Sequence, residues 1–108
     1  MSKHDDGSGV VRVALGGEVD ADVSNALTLM LLNAADQSGV TAVVIDLERL
    51  GLITAAGIRS LLDGRQATLR RGNAFSIVNA DGIVRETLIA AGIAGLLAPQ
   101  LAPSRRPA

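Results

Sequence analysis

The 108-residue sequence predicts one α/β domain, built on a mostly parallel central sheet of about four strands with helices packed against it. Three observations predict it. Short β-branched runs alternate with amphipathic stretches of helical period, the order of strand–helix–strand units joined by right-handed crossovers. Hydrophobic residues make up 48% of the chain, ample for one core, and Phe75 is the only aromatic among them. No internal repeat or linker interrupts the pattern, and the length suits a single domain. The expected layout is a flexible polar leader over 1–9, a domain over 10–98 and a C-terminal tail over 99–108.

Val10 to Leu15 alternates and is β-branched, which predicts a strand ended by Gly16-Gly17. Val23, Leu27, Leu31 and Ala34 recur at helical spacing and predict a helix to Ala35, with Asp22 or Ser24 as its N-cap. Ala42 to Ile45 is a short apolar run, a second strand, and Asp46 to Ile53 reads as a connection. A second helix is expected from Thr54 or Ala55 to Arg71, with Ile58, Leu61, Leu62 and Leu69 inward and Gly64 a mid-helix cost of about 1 kcal/mol. Ala74 to Val78 predicts a third strand. Asp81 then caps a helix over 83–91 with Val84, Leu88 and Ile89 inward, stopped by Gly92. Ile93 to Leu97 is read as a short strand or turn. Partner sites in such sheets gather at the carboxyl ends of the strands, where loops 16–23, 46–56 and 79–82 are expected to meet.

Composition excludes several functions. There is no cysteine, hence no disulfide, thiolate metal site or thiol redox sensor. The lone histidine, His4, falls in the leader, and no set of residues suits a metal or a cofactor. No nucleophile with an acid/base partner stands out, so catalysis is not expected, and Gly16-Gly17 is a turn, not a phosphate cradle. A net charge of −1 without aromatics for stacking argues against nucleic acid. Neither a membrane-spanning run nor a signal-peptide pattern is present, so a cytoplasmic protein without direct membrane insertion is expected. Residues 1–50 carry three basic and eight acidic groups, whereas 51–108 carry seven basic and three acidic. Two faces of opposite sign would orient a protein partner.

Gly17-Glu18-Val19-Asp20, then VVIDLERLGLITAAGIRSLL over Val43 to Leu62, and Val84-Arg85 to Gly92-Ile93 occur in a specific order and spacing. In these stretches the chain resembles the STAS family, shared by anti-sigma factor antagonists and sulfate transporter tails, over about residues 10–97. The resemblance implies a STAS-like layered fold and a protein-binding role without a cofactor. In the family the first serine of D-S-S-G accepts phosphate from an anti-sigma factor with serine kinase activity, and phosphate blocks binding to that partner. Here the four positions read Thr54-Ala55-Ala56-Gly57, so the lost phosphoacceptor position is Ala55.

The resemblance places a partner-binding and regulatory loop on Asp20, Asp22, Thr54, Ala55, Ala56, Gly57, Ile58 and Arg59. Thr54 reads as a plain N-cap, with a substitute phosphoacceptor as the rival reading. Asp22 and Asp81 read as caps, and Asp46 as structural. The expected function is an anti-sigma factor antagonist-like regulator that binds an anti-sigma factor or serine-kinase-like protein. The alternatives are a STAS subunit of a lipid or solute ABC transporter docking on its ATPase, or a stress-signalling scaffold. Finally, Leu29 and Leu32 fall on the outer side of the first helix, three residues apart. They form a small apolar patch that points to a homodimer or to cover by the tail.

Overall fold

The structure, a computed structural model, describes residues 1–97. Its element order is β1 (Ser2–Asp5), β2 (Val10–Val19), α1 (Ala21–Asp36), β3 (Ala42–Ile53), α2 (Ala55–Arg70), β4 (Ala74–Val78) and α3 (Gly82–Ala90), followed by a 3-10 turn over Ala94–Leu96. The strands form one sheet in the order β1-β2-β3-β4, in which β1 is antiparallel to β2 and the other pairs are parallel. The four-stranded, mostly parallel sheet is thus as expected, but its fourth strand comes from the other end of the chain. Residues 2–5, expected as flexible leader, pair along β2 with all four side chains exposed. Backbone pairing and one side-chain bond, from Gln37 Nε2 to the Asp5 carboxylate, hold them, and no side-chain alternation announced the strand. The segment expected after α3 makes a 3-10 turn and a single bridge, Leu97 to Ile77. The tail from Pro99 lies outside the described residues.

The core occupies one side of the sheet. Val11, Val13 and Leu15 of β2, Val43, Ile45 and Leu47 of β3, and Ile77 of β4 alternate onto one face and are almost completely buried. They cluster with Leu27 and Leu31 of α1, Leu61 of α2, and Val84 and Leu88 of α3. All three helices therefore cover the same face. The opposite face carries Val10, Arg12, Ala14, Ala42, Val44, Asp46, Ser76 and Val78, none of which joins that cluster, and no described helix covers it.

Two strands run longer than their sequence pattern. From Ala14 to Val19, β2 advances five residues while β3 advances seven, from Asp46 to Ile53. The two extra residues are β-bulges, and they convert the two-residue alternation of β3 into buried positions three apart at Leu47, Leu50 and Ile53. That is why Asp46 to Ile53 reads as a connection. Gly16-Gly17 does not end β2 either; Gly17 takes φ 71° beside a bulge and the strand continues.

Helix packing departs from expectation at α2. Its buried residues are Gly57, Ser60, Leu61, Gly64 and Thr68, whereas the expected inner residues Leu62 and Leu69 are exposed and Ile58 is half-buried. In α3, Val84 and Leu88 point inward but Ile89 is exposed. The closest contact of α2 is with α1, along a stripe of small residues. A Cβ on Gly64 would lie 2.6 Å from Leu31 Cδ1 and 2.8 Å from Leu31 Cβ. Glycine here is the condition for the two helices to meet.

At the centre of the uncovered face, Asp46 is 14% exposed at its side chain. It accepts from the Glu48 amide at 3.0 Å, from Asn79 Nδ2 at 3.1 Å and from Arg12 Nη2 at 2.9 Å. Burial pushes its pKa up, but the Glu48 amide, the Asn79 amide and the Arg12 guanidinium outweigh burial and hold it below 3.8. No described helix crosses the membrane-spanning threshold of length and hydrophobicity.

Two predictions follow from this packing. Gly64→Ala gains about 1 kcal/mol of helix propensity but overpacks Leu31 at a cost of about 1–3 kcal/mol. A lower urea midpoint is expected; a midpoint at or above the parent's would show that α1 and α2 can separate freely. For Asp46 the native pKa lies below the unfolded one, so the unfolded chain binds protons more readily. The stabilisation is complete above 3.8 and fades as pH falls through the folded value. Asp46→Asn should therefore lose stability at neutral pH and show a shallower further loss as pH falls below 3.8, measured by urea unfolding at neutral and acid pH.

Candidate functional site

The bulged pairing of β2 with β3 ends on one rung, Val19 opposite Ile53. The next residue of each strand is a helix N-cap, so α1 and α2 begin side by side. Asp20 caps α1, its carboxylate accepting from the Asp22 and Val23 amides, each at 3.1 Å. This corrects the cap expected at Asp22 or Ser24. Asp22 is an exposed first-turn residue, and Ser24 is buried with its hydroxyl donating to the Ala21 carbonyl at 2.9 Å.

Thr54 caps α2. Its amide donates to the Val19 carbonyl at 3.0 Å, its hydroxyl donates to the same carbonyl at 3.1 Å, and its oxygen accepts from the Gly57 amide at 3.4 Å. Gly57 lies hard against the strand ends: a Cβ there would be 2.7 Å from Val19 Cγ1 and 2.8 Å from Ile53 Cγ1. This close approach fixes where the first turn of α2 sits. Ala55 and Arg59 are then exposed, Ala56 is half-covered, and Ile58 turns toward the core.

The third expected loop does not join them. β4 ends at Val78, on the rung of Asp46, five residues of β2 below Val19, or roughly 17 Å. Asp81 does cap its helix, accepting from the Gly82 amide at 2.8 Å, but α3 begins at that lower level.

Between α1 and α2 runs an open groove of about 670 Å³, lined by Ser24, Asn25, Thr28 and Leu29 on one side and Ala55, Ala56, Arg59, Ser60 and Asp63 on the other. Its floor is a hydroxyl cluster. Thr28 Oγ1 and Ser60 Oγ are 2.7 Å apart, and each lies within 3.0 Å of the Ser24 carbonyl. Asn25, Thr28, Ser60 and Asp63 were not singled out from the sequence, and Ser24 only as a possible cap. Ser24 and Thr28 stand four apart on α1, a polar pair at an otherwise inward edge, and that was the available signal. Leu29 was singled out, and it forms a lip of this groove. The site has walls, a satisfied polar floor and two helix starts, which suit a docking surface. Among the described residues no group of three histidine, aspartate or glutamate side chains could hold a metal ion.

Comparison with known proteins agrees with this geometry. A protein-family model described as "Mlab, STAS domain" matches residues 3–99. No curated protein matches the chain. Among solved structures, the unphosphorylated anti-sigma factor antagonist SpoIIAA superposes with a TM-score of 0.81 at 18% identity, over 90% of this chain and 84% of that one. An anti-sigma factor antagonist from Mycobacterium paratuberculosis gives 0.76 at 22% identity, over 89% and 81%. A sulfate transporter family protein from Wolinella succinogenes gives 0.71 at 18% identity, over 83% and 72%. At these identities the likenesses establish the fold, and the family model, spanning nearly the whole chain, establishes membership: this chain belongs to the STAS domain family.

Proposed function

We propose that the chain is a non-enzymatic, partner-binding regulator of the anti-sigma factor antagonist kind, which docks an anti-sigma factor or serine-kinase-like protein through the paired starts of α1 and α2. The observation that carries this reading is the placement of Ala55. It is exposed at the first position of α2, on the wall of the groove, where the family pattern has its phosphoacceptor serine. An exposed methyl cannot take phosphate, so the docking surface stays in one covalent state. Thr54 is one residue away but gives its proton to the Val19 carbonyl while capping the helix, and a phosphate on it would sever both bonds. Both likenesses to anti-sigma factor antagonists support the same partner class.

A second reading has its own support. The matching family model is named for Mlab, and one structural neighbour is a sulfate transporter family protein. A transporter-associated STAS subunit docking on an ATPase would use the same exposed surface. Fractionation separates the two: the antagonist recovers with a soluble partner, and a transporter subunit with membranes.

The test of the first reading is direct. With the partner recovered from the native cell, Ala55→Asp should bind at least about tenfold more weakly, a difference of about 1.4 kcal/mol. Asp at a helix start favours the helix by about 0.3–1 kcal/mol, so the loss would come from the interface and not from unfolding. Ala55→Ser should bind like the parent and, incubated with a partner kinase and ATP, gain one phosphate by intact mass. The parent should gain none. Unchanged affinity in Ala55→Asp removes this surface from the interface, and a phosphate mapped to Thr54 in the parent makes Thr54 the switch.

A further inference from the structure

Leu29 is 64% exposed and Leu32 37% exposed, one turn apart on the outer side of α1. Leu29 stands on the lip of a groove whose other lining includes the small side chains Ser24, Thr28, Ala55 and Ala56. A projecting apolar side chain beside a hollow lined by small ones is a shape that a second copy of the same surface can fill. The charges share this property. Asp20 and Asp22 lie at the start of α1 with no basic residue on that helix, whereas α2 carries Arg59, Arg65 and Arg70 against Asp63 alone; Asp36 at the end of α1 and Arg71 at the C-cap of α2 pair with each other within the chain. The two helices follow parallel strands and so run in the same direction, in contact.

We propose that the α1–α2 groove face is an interface between two copies of this chain. A two-fold axis along the groove lays the acidic helix of each copy over the arginine-bearing helix of the other and brings the two Leu29 side chains to the axis. An axis across the helices would instead place α1 on α1 and α2 on α2, antiparallel, acid-bearing helix on acid-bearing helix and arginine-bearing helix on arginine-bearing helix, and like charges disfavour it. A foreign partner of one sign would complement one helix and be repelled by the other; a second copy complements both. Two 16-residue helices, each about 24 Å long, offer on the order of 500 Å² per copy. That is at the low end of specific interfaces, so the association is weak and reversible.

The interface has a regulatory consequence that rests on the proposed docking function. Ala55, Ala56 and Arg59 line the same groove, so a dimer and a partner compete for it. Sedimentation equilibrium of the full chain, from about 10 µM to about 1 mM, tests the dimer itself. The mass should rise from 11.0 kDa toward twice that value. Because Leu29 is exposed, Leu29→Glu should keep the parent's circular dichroism and thermal midpoint while staying at the one-chain mass. High salt should weaken the parent's association, since part of the attraction is charge. A parent that stays monomeric, a dimer that survives Leu29→Glu, or association that strengthens with salt would each overturn the proposal. If the dimer forms as described but partner affinity does not fall with chain concentration, the interface stands and the docking reading fails.

Discussion

Everything at the functional end depends on one pairing: the bulged stretch where Gly16–Val19 of β2 runs beside Arg49–Ile53 of β3. β4 does not reach this level, so the two strands project as a ribbon beyond the rest of the sheet. Because both end on the same rung, Asp20 and Thr54 fall side by side and both helices start from one platform. The Thr54 amide and hydroxyl both donate to the Val19 carbonyl, which ties the start of α2 to the strand that leads into α1. Gly57 completes the tie, since any Cβ would strike Val19 and Ile53. The family's glycine at this position thus has a steric reason that needs no appeal to function.

From that platform the helices run side by side, with Ser60 and Gly64 of α2 against Ser24, Thr28 and Leu31 of α1. Where Gly64 admits Leu31, the contact is dry and tight. Nearer the platform Ser24, Thr28 and Ser60 replace apolar contacts with hydroxyl–carbonyl bonds, and the surface above them opens into the groove. Buried hydroxyls bonded to helix carbonyls incur no unsatisfied polar cost and leave no bulk above them. The same sequence choice that permits close packing therefore also makes the hollow.

Much of this was legible in the sequence. Alternation in Val10–Leu15, the short strand run Ala74–Val78, the stripe Leu27–Leu31–Ala34, and the caps Thr54 and Asp81 rest on local pattern and hydrogen-bonding chemistry, and they lie where those rules place them. What escaped depends on partners distant in sequence. The β3 extension breaks period two because its bulges are defined against β2, not within β3. Leu62 and Leu69 look like core on a helical wheel, yet the tight face of α2 is made of glycine, serine and threonine, which a hydrophobic pattern scores as neutral. β1 has no apolar residue at all; the one local sign was Asp6-Gly7-Ser8-Gly9, turn residues placed before a strand. Asp20, expected at a partner surface, is the cap of α1, and its carboxylate fixes the helix start that the site is built from.

On the proposed docking function, alanine at position 55 leaves this surface a different kind of control from phosphorylation. A phosphate adds close to two negative charges at one point and switches a docking surface nearly completely. The self-association proposed for the same groove would act by mass action instead, because only the monomer would offer Ala55 and Arg59 to a partner. When total chain concentration equals the dimer dissociation constant, half the chains are monomers and apparent partner affinity falls about twofold; at ten times that concentration it falls about fivefold. Such control would be graded, would need no second enzyme, and would report the abundance of the chain itself. On the proposed dimer, the exposed leucine at position 29 on the groove lip, which would cost solubility on an ordinary outer helix face, is the residue that joins the two copies.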